Sequence, residues 1–109
     1  MRKIYKHFKG EYYLEIGEST YSPDKCTGYL DTIYCIHTHS NQYVEIHKDN
    51  DGNMYHNFSK NSLVVYKSLF DATDIFVRPS YDFHIELDKD KYPNAKQKYR
   101  FERIGDKHE

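Results

Sequence analysis

Between Leu63 and Pro79 the chain reads LVVYKSLFDATDIFVRP, and no other stretch constrains the fold as tightly. The apolar run Leu63–Leu69, with Val64, Val65 and Tyr66 in it, favours a strand with at least one buried face. Asp71 to Asp74 interrupts it with turn-forming residues, and Ile75 to Arg78 resumes the extended pattern. Pro79 carries no backbone N–H and ends the ladder. Side chains alternate across a strand, so Ile75 and Val77 share one face, and Phe76 and Arg78 the other. The first pair suits a core. The second sets a ring beside a fixed positive charge and, with Tyr66 or Lys67 of the neighbouring strand, forms the best candidate site in the sequence.

The rest of the chain repeats the same alternation in short pieces. Strands are predicted at Ile4–Phe8 and Tyr12–Ile16 around a turn at Gly10, then at Tyr29–Thr38 after a polar loop from Gly17 to Gly28. Gln42–Lys48 and Asn53–Phe58 read as a hairpin closed by Asp49-Asn50-Asp51-Gly52, since Asp-Gly between alternating runs is a strong hairpin signal. Ser80–Phe83 suits one helical turn with Ser80 as its cap. His84–Leu87 and Tyr99–Ile104 are the last two strands, and Gly105–Glu109 is a frayed tail. Twelve tyrosines and six phenylalanines favour the same half-buried pleated surfaces. No helical period is sustained and no repeat is present. These short strands predict an all-β fold: a small SH3-like barrel in one domain, 1–109, closed by its first and last strands side by side.

Charge and cysteine content exclude several classes. The formal charge is -1, so no global field draws in nucleic acid or an anionic membrane. The basic residues are nevertheless gathered at the ends, with Arg2, Lys3, Lys6 and Lys9 at one and Lys96, Lys98, Arg100 and Arg103 at the other. Paired termini would make a local basic face, or simply a solvated stripe. The N-terminal MRKIYKHFKGEYY has no continuous apolar segment, so neither a secretory signal nor a membrane span is expected. Two cysteines in such a chain fit a cytoplasmic protein with free thiols.

Two separated blocks resemble a known family. Tyr5-Lys6-His7-Phe8-Lys9-Gly10, followed by Tyr13 and Ile16-Gly17, is similar to the opening of a family of small bacterial and phage domains, domain-of-unknown-function family 1653. Leu63-Val64-Val65-Tyr66-Lys67-Ser68-Leu69, Phe76-Val77-Arg78-Pro79 and Phe83 resemble its second half, and Tyr99 to Ile104 resembles its closing strand. Lys67 stands where the family has Arg, and Phe76 where it has Trp. The segment from about Asp24 to Asn61 has no counterpart and reads as an insertion. The resemblance implies a small β-barrel-like domain and no established activity. The alternation at Val44 and Ile46 predicts that the insertion is a β-hairpin extension, pairing with the barrel or projecting from it, and able to form a homodimer.

The chemistry-bearing residues point mainly to binding. Arg78 beside Phe76 suits an anion, a base or a nucleotide; the plainer reading is an arginine bridging to Glu15 or Asp82. Tyr5, His7 and Lys9 share a face and would extend a basic-aromatic surface, or form a lysine-guarded edge. Cys35, His37 and His39 alternate on one strand, with Cys26, His47 and His56 elsewhere, but the spacing matches no standard zinc site. Asp49, Asp51 and Asn53 recur like calcium ligands, yet Met54 occupies the glycine position, so this is a turn. There is no phosphate-cradling glycine loop and no nucleophile elbow, and Cys26 or Cys35 with His37 is the nearest approach to a nucleophile–base pair. The expectation is therefore a non-catalytic, cofactor-free domain. It would accept a nucleotide-like small molecule or single-stranded nucleic acid on Tyr5, His7, Lys9, Tyr66, Lys67, Phe76 and Arg78. The alternative is a protein-interaction module, for instance a phage-borne inhibitor of a host protein. That module would contact its partner through apolar residues of the insertion: Tyr29, Ile33, Tyr43 or Tyr55.

Overall fold

A computed structural model describes residues 2–27, 31–71 and 73–107. Eight strands form one sheet: β1 (Arg2–His7), β2 (Tyr12–Tyr21), β3 (Asp31–His37), β4 (Tyr43–Lys48), β5 (Met54–His56), β6 (Leu63–Ser68), β7 (Ile75–Pro79) and β8 (Phe101–Lys107). The order is β5-β4-β3-β7-β6-β2-β1-β8, and β5 also pairs with β2. That extra pairing rolls six of the strands into a closed barrel, so the chain is a small, nearly all-β barrel with additional strands. The segment read as an insertion takes the pairing alternative: β3, β4 and β5 are half of the barrel wall.

The barrel closes through β2. At its start Tyr12–Leu14 pair with Lys6–Ile4 of β1. Further along, Ser19–Tyr21 pair in parallel with Met54–His56 on the same edge. Its other edge carries β6, with a register shift between Glu15 and Gly17. A bulge adds one residue and reverses which face the following side chains take. Glu15 therefore lies across from Tyr66 on the outer face, whereas Gly17 and Ser19 lie across from Val65 and Leu63 on the inner one. This is why the strand runs through Gly17 to Tyr21, where the alternation predicts a loop. β1 and β8, the first and last strands, do pair, from Arg2↔Lys107 to His7↔Phe101, but because β2 and β5 close the barrel instead, these two do not close it as expected. They extend from β2 as a wing, and the radius of gyration is 14.6 Å, above the about 13 Å typical of this length.

Two cores result. Cys35, Val44, Ile46, Met54, Leu63, Val65 and Val77 fill the barrel. Tyr5, Val64, Tyr66, Phe83 and Phe101 form a second, aromatic core outside it. β6 separates them and is buried on both faces, which explains its unbroken apolar run. The cover is α1 (Ser80–Phe83), whose Phe83 stacks on Phe101 at 4.1 Å between centroids.

Three boundaries differ from the pattern. Pro79, not Ser80, occupies the cap of α1, and the Ser80 N–H is satisfied by the Ser62 carbonyl at 2.9 Å. His84–Leu87 makes only a single bridge, Glu86↔Tyr99. Gly105 to Lys107 belong to β8 because β1 begins early enough to hold them. Tyr29 lies outside the described residues. No helix among the described residues is long and apolar enough to cross a membrane.

Candidate functional site

Two regions compete for the role of site: the outer face of β7 and β6, and the outer face of β3 and β4. On β7, alternation sends Val77 into the barrel and Arg78 outward. Arg78 does not reach solvent as a free cation. Its Nη1 donates to Asp82 Oδ2 at 2.6 Å, its Nε donates to the Tyr66 hydroxyl at 3.3 Å, and the guanidinium lies 5.6 Å from the Phe101 ring centroid. The Arg78 and Asp82 side chains are only 13% and 15% exposed. His39 Nε2 lies 3.0 Å from the same carboxylate oxygen. Burial alone would raise the Asp82 pKa, but the hydrogen bond and charge of Arg78, then the bond from His39, outweigh it and hold it low. Of the two readings of Arg78, the structure has the bridge to Asp82.

Of the aromatic members of the expected surface, Tyr5 and Tyr66 are interior, and His7 and Phe76 are half-buried against the same core. Tyr66 is 2% exposed and Tyr5 5%; Tyr5 meets Phe83 edge-on at 5.0 Å, and Phe76 lies 5.8 Å from Tyr66. The His7 ring packs 4.9 Å from Phe101, and its Nδ1 accepts the Lys9 backbone N–H at 3.2 Å. Burial, only partly offset by Glu11, lowers the His7 pKa to about 4, so the imidazole is neutral near pH 7. Lys67 falls on the opposite face of β6 from Tyr66, across from Leu14 and Ile75. Lys9 is exposed on the turn beyond β1, 5.8 Å from the Phe8 ring. Tyr5, His7, Tyr66, Phe76 and Arg78 thus gather in or against the aromatic core, whereas Lys9 and Lys67 stand apart from it. The terminal basic residues are interleaved with acids: Lys3 faces Glu15 at 4.0 Å, Lys98 faces Glu86 at 3.6 Å, and Arg103 is bonded to Asp106.

Cys35, His37 and His56 serve the barrel. Cys35 is fully buried, and burial pushes its thiol up to about 12. His37 Nδ1 lies 2.8 Å from Ser40 Oγ. His56, also fully buried, accepts from Ser19 Oγ at Nδ1 (2.8 Å) and donates from Nε2 to the Ser59 and Asn61 carbonyls at 2.9 and 3.0 Å. Among the described residues no group of three His, Cys, Asp or Glu could hold a metal ion. Asp49 closes the β4–β5 turn, its Oδ1 accepting the N–H groups of Asp51 and Asn53 at 3.0 and 2.9 Å.

The outer face of β3 and β4 is different in kind. Cys35↔Val44 and Ile33↔Ile46 point into the barrel, which turns the cross-strand partners Tyr34↔Glu45 and Ile36↔Tyr43 outward. Tyr34 is 66% exposed and Tyr43 78%. Phe58 joins them from the loop that His56 fastens through the Ser59 and Asn61 carbonyls, its ring 4.8 Å from that of His37. With Val44, Glu45, His47 and Asn57 these rings line an open groove of about 460 Å³. Tyr43 is among the residues named for an interaction surface; Ile33 packs on the barrel core and Tyr55 is half-buried. Tyr34, Glu45 and Phe58 are additions. The first two were accessible from parity, because they must face away from Cys35 and Val44, but Phe58 depends on a tertiary contact with His37 across the chain.

No family model matches this chain, and neither a curated protein nor a solved structure matches it.

Proposed function

We propose that this protein is an interaction module that docks a partner protein on the outer face of β3 and β4. The observation that carries this reading is the exposure of Tyr34 and Tyr43 beside Phe58 around one groove. Large rings left in water cost solvation, and they supply contact area with little loss of rotamer freedom when a partner covers them. They sit on a wall held from within by Cys35, Val44 and Ile46, so the surface is presented by rigid strands. An anion-binding role on the outer face of β7 and β6 has less support, since Arg78 already commits two of its donors to Asp82 and Tyr66.

Selection from a displayed random-peptide library, followed by two-dimensional NMR of the labelled protein, tests the reading. Enriched peptides should shift resonances of Tyr34, Tyr43, Glu45 and Phe58. A Tyr34→Ser/Tyr43→Ser protein should bind them roughly tenfold or more weakly at unchanged stability. Selected peptides whose shifts cluster elsewhere would overturn it. Single-stranded oligonucleotide shifting His7, Lys9 and Arg78 would restore the anionic-ligand reading.

A further inference from the structure

We infer that the Tyr34–Tyr43–Phe58 groove is a recognition site for a cationic side chain, a lysine or arginine of the partner. This rests on the docking face proposed above and specifies its occupant. The groove has two elements of such a site. Its walls are the rings of Tyr34, Tyr43 and Phe58, whose faces carry the negative part of the aromatic quadrupole and attract a cation. A carboxylate is among the lining groups: Glu45 lies directly across the β3–β4 ladder from Tyr34, with its side chain 59% exposed. Among the described residues no lysine or arginine lines the groove, and the basic residue there is His47, 4.0 Å from the Glu45 carboxylate. The His47 ring is held back on the strand by Thr32, whose Oγ1 is 3.3 Å from Nδ1. The remaining lining atoms belong to Val44 and Asn57, which add no charge.

Elsewhere on this protein, rings that meet cations are already served by its own chain. Lys25 lies 5.1 Å from the Tyr55 ring, Lys6 5.8 Å from Tyr12, and Lys98 5.5 Å from Tyr99. The groove gathers three rings and an exposed carboxylate around open space. A purely apolar occupant would cover Glu45 and strip its water without return, whereas a lysine or arginine head satisfies the carboxylate and the ring faces together. The stem of such a side chain lies along the rings while its head reaches the acid.

The test uses two small probes of nearly the same shape, tetramethylammonium and tert-butanol, titrated into the full chain and followed by two-dimensional NMR. Tetramethylammonium should give saturable shifts at Tyr34, Tyr43, Glu45 and Phe58, with tert-butanol giving weaker, non-saturating ones. Glu45→Gln keeps the shape and removes the charge, and it should weaken the cation several-fold while leaving the far-UV spectrum unchanged. Arginine amide should compete with tetramethylammonium for the same resonances. Equal responses to the two probes, indifference to Glu45→Gln, or saturation at some other surface would each overturn the inference. Peptides selected on this face but bearing no required Lys or Arg would leave the docking reading intact and reject the cation. Selected peptides that footprint elsewhere would reject the docking reading itself.

Discussion

Arg78 shows how far a single residue can be read from its neighbours. Parity along Ile75–Pro79 correctly sets it on the face opposite Val77, and the carboxylate it meets, Asp82, is one turn of helix away in sequence. What parity does not contain is depth. The outer face of β7 is itself roofed by α1 and β8, so a residue that faces away from the barrel still faces a core. With both side chains mostly buried, truncating one leaves the other charged and under-solvated. Arg78→Ala should therefore lower the unfolding free energy by about 2–4 kcal/mol in urea titrations. Arg78→Lys should recover part of it, keeping a charge for Asp82 but losing the bond to Tyr66. A loss under about 0.5 kcal/mol would mean that the guanidinium is solvated and free for a ligand. Parity does not settle the depth of Tyr66 and Tyr5 either: tyrosine suits a wet margin or a core equally, and only the roof decides.

Among the elements, β6, β7, the β4–β5 hairpin and α1 were legible because each announces itself locally, by an apolar run, an alternation broken at Pro79, an Asp-Gly turn and a four-residue helical turn. β2 beyond Ile16 was not, because a bulge resets the alternation at the point where a reader would use it. Barrel closure was not legible either, since the β2–β5 pair joins residues distant in sequence and is parallel. Gly17 is the residue on which that closure turns. A Cβ built there would lie 2.4 Å from Met54 Cε, the tip of the side chain that fills the barrel behind it. Met54 is 6% exposed, and its terminal methyl, the free end of a flexible side chain, must shift to make room. Gly17→Ala should cost about 1 kcal/mol, the low end for overpacking, because the atom it meets can move. Met54→Leu, which shortens the side chain, should be milder alone and relieve much of the cost in combination. The double-mutant cycle measures this coupling; strict additivity would show that the two side chains do not compete for space.

At the scale of the whole molecule, the two cores share one dependence, on buried neutral histidines. His7 lies against the aromatic core and is lowered to about 4 by burial. His56 is lowered by burial, against the pull of the Ser59 and Asn61 carbonyls. His37 is lowered by burial, then by His39 and Arg78. In each the folded-state pKa lies below the unfolded value of 6.5, so below that pH the unfolded chain takes up protons that the folded chain refuses. Stability is then fully present above pH 6.5 and falls on acidification, for His7 until about pH 4. The limiting slope is about 1.4 kcal/mol per pH unit for each histidine. Glu15, raised by burial, acts in the opposite sense: its folded form holds a proton more readily, which adds stability as pH falls through its range. The histidine loss reaches its limiting slope about a pH unit below 6.5, and Glu15 offsets part of it wherever the two ranges overlap. Urea midpoints measured from neutral pH down to mildly acidic pH should decline, and His7→Phe should flatten the decline without abolishing it, since His37 and His56 remain. A midpoint that holds level across that range in the parent would mean that the histidines are charged in the folded barrel, and the close packing of the two cores around them would be wrong.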